Sequence, residues 1–468
     1  MKNASLAVDI GASSGRLTMG SIVDGELVLE EIHRFENGLI KKKEHLCWDI
    51  DHLFNEVKVG LKKCAENGLA PTSIGIDTWA VDFVLLDEND QLLTDAVAYR
   101  DPRTDGMMEE VEQIIPKEML YAQTGIQFQK FNTIYQLHYL KKHKPDLLEK
   151  ATSFLMIPDY LHYLLTGVKT NEYTNATSTQ LVHAKSKKWD RQLIEQLDLN
   201  YDMFLPIQMP KTKIGKLKKS LVEEVGLDME VILPATHDTG SAVIATPEKG
   251  ETIYISSGTW SLMGVESFHP VTNNIAMNYN FTNEGGIDGR FRFLKNIMGL
   301  WMIQEVKRMY DDIYSFSEFV KMAEETEAFD SIVNVDDARF LKPDNMVEEI
   351  RGYCRETNQV IPQSPGEVAK CVFDSLVEIY KQTVEQLEEV CGKTFNKINV
   401  IGGGTQNAML NQLIASGTKK NVHAGPVEAT SIGNIVAQFI ALGELKDIDE
   451  ARTIIKDSFD ITLYKGSE

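Results

Sequence analysis

Apolar residues run together or alternate with period two over three successive stretches near the start of the chain: Ala4 to Ile10, Arg16 to Val23 and Glu26 to Phe35. Each is expected to be a strand. Asp24-Gly25, between the last two, is a hairpin signal, because such two-residue turns need positive φ. From Asp49 to Asn67 the period becomes helical through Leu53, Val57 and Leu61, and Gly68 ends it. Ser73 to Asp77 and Phe83 to Leu86 are again short apolar strands. Three meandering strands, a helix and a further strand make a mixed α/β unit.

A similar order returns later. Glu251 to Ser256 and Trp260 to Val265 are strands flanking the small-residue turn at 256–258. Ser364-Pro365-Gly366-Glu367 then starts a long helix, with Pro at the first helical position and a capping-box Glu two residues on. Its apolar positions Val368, Val372, Leu376, Ile379, Leu387 and Val390 run to Gly392. Ile398 to Ile401 follows as a strand, Gly402-Gly403-Gly404 as a turn and Asn407 to Ser416 as a helix. Two related α/β halves are expected, divided near Glu248-Lys249-Gly250.

Length and charge narrow the picture. A chain of 468 residues exceeds a single core, so two domains are the default. A net charge of −21 argues against nucleic acid or an anionic membrane as partner. The five cysteines have no CxxC or metal spacing and read as reduced thiols, although Cys354 and Cys371 are a conceivable pair. With Asp9 in the first apolar run and no span of roughly 20 apolar residues, neither a signal peptide nor a membrane helix is expected. A cytoplasmic monomer or homodimer is the expectation.

The chemistry is carried by small-residue turns. Gly11-Ala12-Ser13-Ser14-Gly15-Arg16 joins two strands, so it is neither a Walker loop nor a dinucleotide fingerprint, both of which lead into a helix. Its backbone N–H groups, two hydroxyls and Arg16 suit phosphate oxygens; a tight turn with a surface arginine is the plainer reading. Asp9, ending the first strand, suits Mg²⁺ held through water. Ser256-Ser257-Gly258-Thr259 repeats this composition, and the 402–404 glycines let backbone approach a flat group. Three such turns favour a nucleotide. Pro234 to Gly240 offers Asp238 at the start of a helix following the strand Val231 to Leu233, either as a cap or as a general base. His237 either orients a substrate or is an ordinary partly buried histidine.

Other positions have two readings. Trp79 stacks on a ligand or fills the core, and Asp82, Arg100 and Asp101 are ligand contacts or scaffold. Met298, Leu300, Trp301 and Met302 read as helix packing. Lys41-Lys42-Lys43 reads as a solvated loop.

Asp9 to Arg16, Gly75-Ile76-Asp77-Thr78-Trp79, His237-Asp238-Thr239, Ser256 to Trp260 and the glycines at 402–404 together resemble the FGGY carbohydrate kinases. The resemblance extends to EIHRFENGL at 31–39, YRDPRTDGM at 99–107, GIQFQKFNTIYQL at 125–137, EYTNAT at 172–177 and LKNIMGLWMIQE at 294–305. It is weakest at 312–362 and in the C-terminal tail. It implies a two-domain α/β fold of the actin/hexokinase-like (ribonuclease H-like) kind, with an inter-domain cleft for ATP and sugar. The implied domains are 1–247, with the sugar site and first phosphate loop, and 248–468, with the nucleotide site.

The resemblance also implies roles. Ala12, Ser13, Ser14, Gly15, Arg16 and Thr259 contact the ATP phosphates, with Gln304 and Gly402 also at the nucleotide. Ala80, His237, Asp238, Thr239 and Asn296 bind a ketose, Asp238 being the base, and Mg²⁺ accompanies ATP. Alanine at position 80 stands where the family usually has glycine, placing a methyl group where the sugar is expected. The implied reaction is phosphorylation of L-rhamnulose at O1. Another ketose such as L-fuculose or D-xylulose, or an ATPase switch acting on a protein partner, are the alternatives.

Overall fold

The structure is a computed structural model describing residues 4–248, 250–326 and 328–466. It resolves into two compact units that do not follow chain order. The first takes the chain up to Ala245, then Glu266–Phe293 and Ala429–Ser458. The second takes Thr246–Val265, Leu294–Glu428 and the chain from Phe459. The junction expected at 248–250 includes Lys249, which lies outside the described residues.

The first unit begins with β1 (Ala4–Ile10), β2 (Ser14–Val23) and β3 (Glu26–Glu36), a meander whose Asp24-Gly25 turn has φ of 51° and 91°. Helix α1 (Ile50–Glu66) starts at Asp49, whose side chain accepts from the His52 N–H, and buries Leu53, Val57, Leu61 and Cys64 on one face. β4 (Ser73–Thr78) returns parallel to β1. With β5 (Lys213–Lys216) and β6 (Glu230–Ile232) the sheet order is β5-β6-β4-β1-β2-β3. β1 and β4 lie in the middle, which explains why both are almost wholly buried. α2 (Asp238–Ile244) follows β6.

The helix Ala429–Leu442 returns from far along the chain to pack against α2, β1 and β4. The approach is close. A Cβ on Gly433 would lie 1.8 Å from the Ser241 carbonyl oxygen, and one on Gly75 would lie 2.9 Å from Asn434 Oδ1.

The second unit repeats the strand order. β7 (Ile253–Ser257) pairs antiparallel with β8 (Trp260–Ser267) and parallel with β9 (Lys397–Ile401), as β1 does with β2 and β4. Between β8 and β9 the chain forms α3 (Trp301–Met309) and α4 (Pro365–Cys391). α4 has its full capping box at Ser364 and Glu367, and Gly392 closes it at φ 64°. α5 (Ala408–Thr418), β10 (Asn421–Ala424) and β11 (Thr462–Tyr464) complete the unit.

Two local expectations change. Leu39–Lys42 is a strand paired with His45–Trp48, so Lys41 and Lys42 belong to a hairpin, with Lys42 bonded to Asp95 at 3.0 Å. Met298 ends the strand Phe291–Met298 and Leu300 is the cap of α3; of the four residues expected on a helix, Trp301 and Met302 are on one. All five cysteines are free thiols, and Cys354 and Cys371 are both buried. Among the described residues no helix is long and apolar enough to cross a membrane.

Candidate active site

In the first unit the parallel pairing of β1 and β4 sets Asp9 opposite Asp77, and the antiparallel pairing with β2 sets Asp9 opposite Arg16. Arg16 Nε donates to Asp9 Oδ2 at 3.1 Å. Asp77 is fully buried, and its Oδ2 accepts from Asn434 Nδ2 at 2.6 Å, while among the described residues no group hydrogen-bonds Oδ1. Burial, and next the negative charge of Asp9, push the Asp77 carboxyl well above the usual range.

The turn between β1 and β2 is closed by the Gly11 N–H on Ser14 O at 2.9 Å. Asn37, which the sequence did not single out, holds it from outside: its side chain donates to Gly11 O at 2.7 Å and its N–H to Ser13 O at 3.0 Å. Glycine is required at position 15, since a Cβ there would strike the Phe35 ring. Ser13 is exposed, and Ala12, Ser14 and Arg16 are half-buried.

Asp238 is the first residue of α2 rather than its cap. The cap is His237, which makes no side-chain capping bond. Asp238 Oδ1 takes the Thr239 N–H at 2.6 Å and the Thr239 hydroxyl at 3.3 Å. No donor among the described residues reaches Oδ2, and the side chain is 30% exposed. The segment before it is fastened by Glu172, a buried carboxylate that accepts from Thr236 N at 3.0 Å, Thr236 Oγ1 at 2.6 Å and Thr174 N at 2.9 Å. Thr174 Oγ1 in turn accepts from the His237 N–H at 3.1 Å. On the other side His237 meets a buried ion pair: Arg292 Nη2 lies 3.0 Å from its Nδ1 and 3.1 Å from Glu284 Oε2.

Ala80 is half-buried and its φ is not positive. The left-handed residue of this turn is Val81 at φ 66°, a conformation costly for a branched side chain. It is held by Thr133 Oγ1 and Gln136 Nε2 on its carbonyl and by Ser178 Oγ on its N–H. Trp79 packs in the core, its ring 4.0 Å from that of Trp48, and both indoles donate to Asp82 Oδ2. Burial raises the Asp82 carboxyl to about 6 despite these bonds. Asp101 accepts from His45, Leu46 and Arg103 and is likewise scaffold. Arg100 is half-buried, donating to the Tyr99 hydroxyl.

In the second unit Thr259, Gln304 and Gly402 come from segments bonded to or touching one another. Thr259 O accepts the N–H groups of Gly299 and Trp301, and Gly258 O accepts that of Leu300, tying the β7–β8 turn to the start of α3 and so to Gln304. Gly402 adopts φ 83° with its Cβ position 3.1 Å from Ser257 O, and a Cβ on Gly404 would lie 2.0 Å from Ser257 Oγ. Asn296 is half-buried near the end of the strand Phe291–Met298.

Comparison with known proteins gives this arrangement its class. Residues 4–245 match the N-terminal domain of the FGGY family of carbohydrate kinases and residues 253–442 its C-terminal domain. The chain belongs to that family and is a carbohydrate kinase. It is 62% identical to the rhamnulokinase of Halalkalibacterium halodurans, over 100% of this chain and 99% of that protein. It is also 62% identical to the rhamnulokinase of Oceanobacillus iheyensis, over 99% and 98% of the two chains. Among solved structures, xylulose kinase from Lactobacillus acidophilus superposes with a TM-score of 0.82 at 16% identity, covering 99% of this chain and 94% of that one. At that identity the likeness shows the fold alone.

Proposed function

We propose that this kinase transfers the γ-phosphoryl group of ATP to O1 of L-rhamnulose, in the cytoplasm. The observation that carries the sugar assignment is the 62% identity, across the whole chain, to two proteins named rhamnulokinase. Asp238 is the general base. Its Oδ1 is occupied by Thr239, which leaves Oδ2 to take the proton of the attacking hydroxyl. His237, Thr239, Ala80 and Asn296 bind the ketose. Ala12 to Arg16 and Thr259 surround the phosphates, and Gln304 and Gly402 meet the rest of the nucleotide.

Phosphoryl transfer has a loose transition state, so placing charge matters more than a strong base. Asp9 would hold Mg²⁺ through water, and the residues present fit a hard cation: Asp9 and Asp77 lie opposite each other on adjacent strands, and no described residue hydrogen-bonds the buried Asp77 Oδ1. When bound, Mg²⁺ supplies neutralising charge on the phosphate oxygens.

The test is a substrate panel with purified protein, following ADP release. A site that pairs sugar hydroxyls with buried polar groups discriminates strongly against the wrong epimer. L-Rhamnulose is expected to exceed L-fuculose and D-xylulose in kcat/KM by at least about tenfold. Equal rates would remove the sugar assignment, and ATP hydrolysis at full rate without sugar would favour the switch reading.

A further inference from the structure

His237 has two ring nitrogens, and what each can do depends on which carries the proton. Nδ1 lies 3.0 Å from Arg292 Nη2. A guanidinium nitrogen has only N–H groups and no lone pair to offer. At this separation a proton on Nδ1 would set two donors against each other. Nδ1 therefore carries the lone pair and accepts from Arg292, and the ring proton resides on Nε2.

The surroundings hold the arginine in that task. Arg292 is 1% exposed, its Nε donates to Gly285 O at 2.8 Å, and Glu284 Oε2 lies 3.1 Å from Nη2. Glu284 Oε2 is also 3.3 Å from His237 Nδ1, farther than the guanidinium nitrogen. The backbone of His237 is fixed independently through Thr174. On the other edge of the ring, Nε2 lies 3.4 Å from Asp238 Oδ1.

We propose that Arg292 is a positioning residue that sets the tautomer of His237, so that an Nε2–H donor faces Asp238. That donor lies beside the oxygen already taken by Thr239. It steers the carboxylate toward presenting Oδ2 to the substrate hydroxyl, and it keeps a donor beside the reacting sugar. The kinetic consequence rests on Asp238 being the base; the tautomer does not.

Neutron diffraction from deuterium-exchanged crystals of the unaltered protein reads the tautomer directly. Deuterium is expected on Nε2 and absent from Nδ1, and density on Nδ1 would overturn the proposal. A double-mutant cycle reads the consequence. Arg292→Met should lower kcat about tenfold to a hundredfold with ATP affinity unchanged. In a His237→Asn background the same change should alter kcat less than about twofold, because the group it acts through is gone. Equal losses in both backgrounds would mean Arg292 serves only the fold. If Arg292→Met does not fold, Arg292→Lys keeps the charge and one donor and enters the same cycle. Failure of the base reading is separately visible: Asp238→Asn would then turn over normally while the neutron result stood.

Discussion

Asn434, on the helix Ala429–Leu442, donates to Asp77 across 357 residues of chain, at 2.6 Å. The same side chain donates to Gly75 O and accepts from Gln438, which in turn donates to Leu6 O and accepts from Ser73. A polar ladder thus fastens this late helix to the two central strands. Asn434→Ala would leave the buried Asp77 carboxyl without its side-chain donor, at a cost of about 1–3 kcal/mol. Urea denaturation measures it; an unchanged midpoint would show that the bond contributes nothing.

The same helix depends on Gly433. A Cβ there would meet the Ser241 carbonyl, a backbone atom of α2, at 1.8 Å, so one of the two helices must move. Overpacking of this kind costs about 1–3 kcal/mol or more. Gly433→Ala should therefore lower Tm and, by displacing α2 and with it Asp238, also lower kcat. A variant with wild-type Tm would contradict the packing described.

Asp82 makes stability depend on pH. Burial raises its carboxyl from the ordinary 3.8 to about 6. Between those values the folded chain holds a proton that the unfolded chain has released, so its contribution is full below about pH 4 and lost as pH rises through 6. Two pK units correspond to about 3 kcal/mol at most. The stability of the wild type relative to Asp82→Asn should fall by up to this amount between pH 4 and pH 7. Denaturation at several pH values checks it, and a difference that rises with pH would reverse the sign.

Ser257 and Gly404 test the proposed nucleotide site. Gly404→Ala brings a Cβ to 2.0 Å from Ser257 Oγ and 2.5 Å from its Cβ. The turn must shift, and ATP should bind about tenfold or more weakly, since misplacement near 1 Å is costly. Adding Ser257→Gly removes both obstructing atoms and should restore part of the affinity. Calorimetric titration with a non-hydrolysable ATP analogue compares the two; a double variant no better than the single would refute steric coupling.

Asp238→Asn retains an oxygen to accept from Thr239 but cannot take a proton. Its kcat should drop by roughly 10²–10⁴ while Tm and ATP affinity hold. If Asp238 served only the helix terminus, the variant would lose a little stability and keep its turnover.

Much of this protein is legible in its order of residues because the signals are local. Asp49, Ser364, Glu367 and Gly392 cap their own helices, and Asp24-Gly25 makes its own hairpin, so the information lies within a few positions. The related order of strands in the two halves and the three glycine-rich turns follow from the same periodicities. Tertiary structure alone decided what is buried and paired. Arg292 stands in an apolar strand like any interrupted run, and only the fold brings its guanidinium to His237, 55 positions away. Glu172 reads as an ordinary acidic residue until Thr236 closes on it, and nothing near Ala429–Leu442 announces that it joins the first unit. A buried polar group is stable only where its partner arrives, and that partner's distance along the chain leaves no period to read.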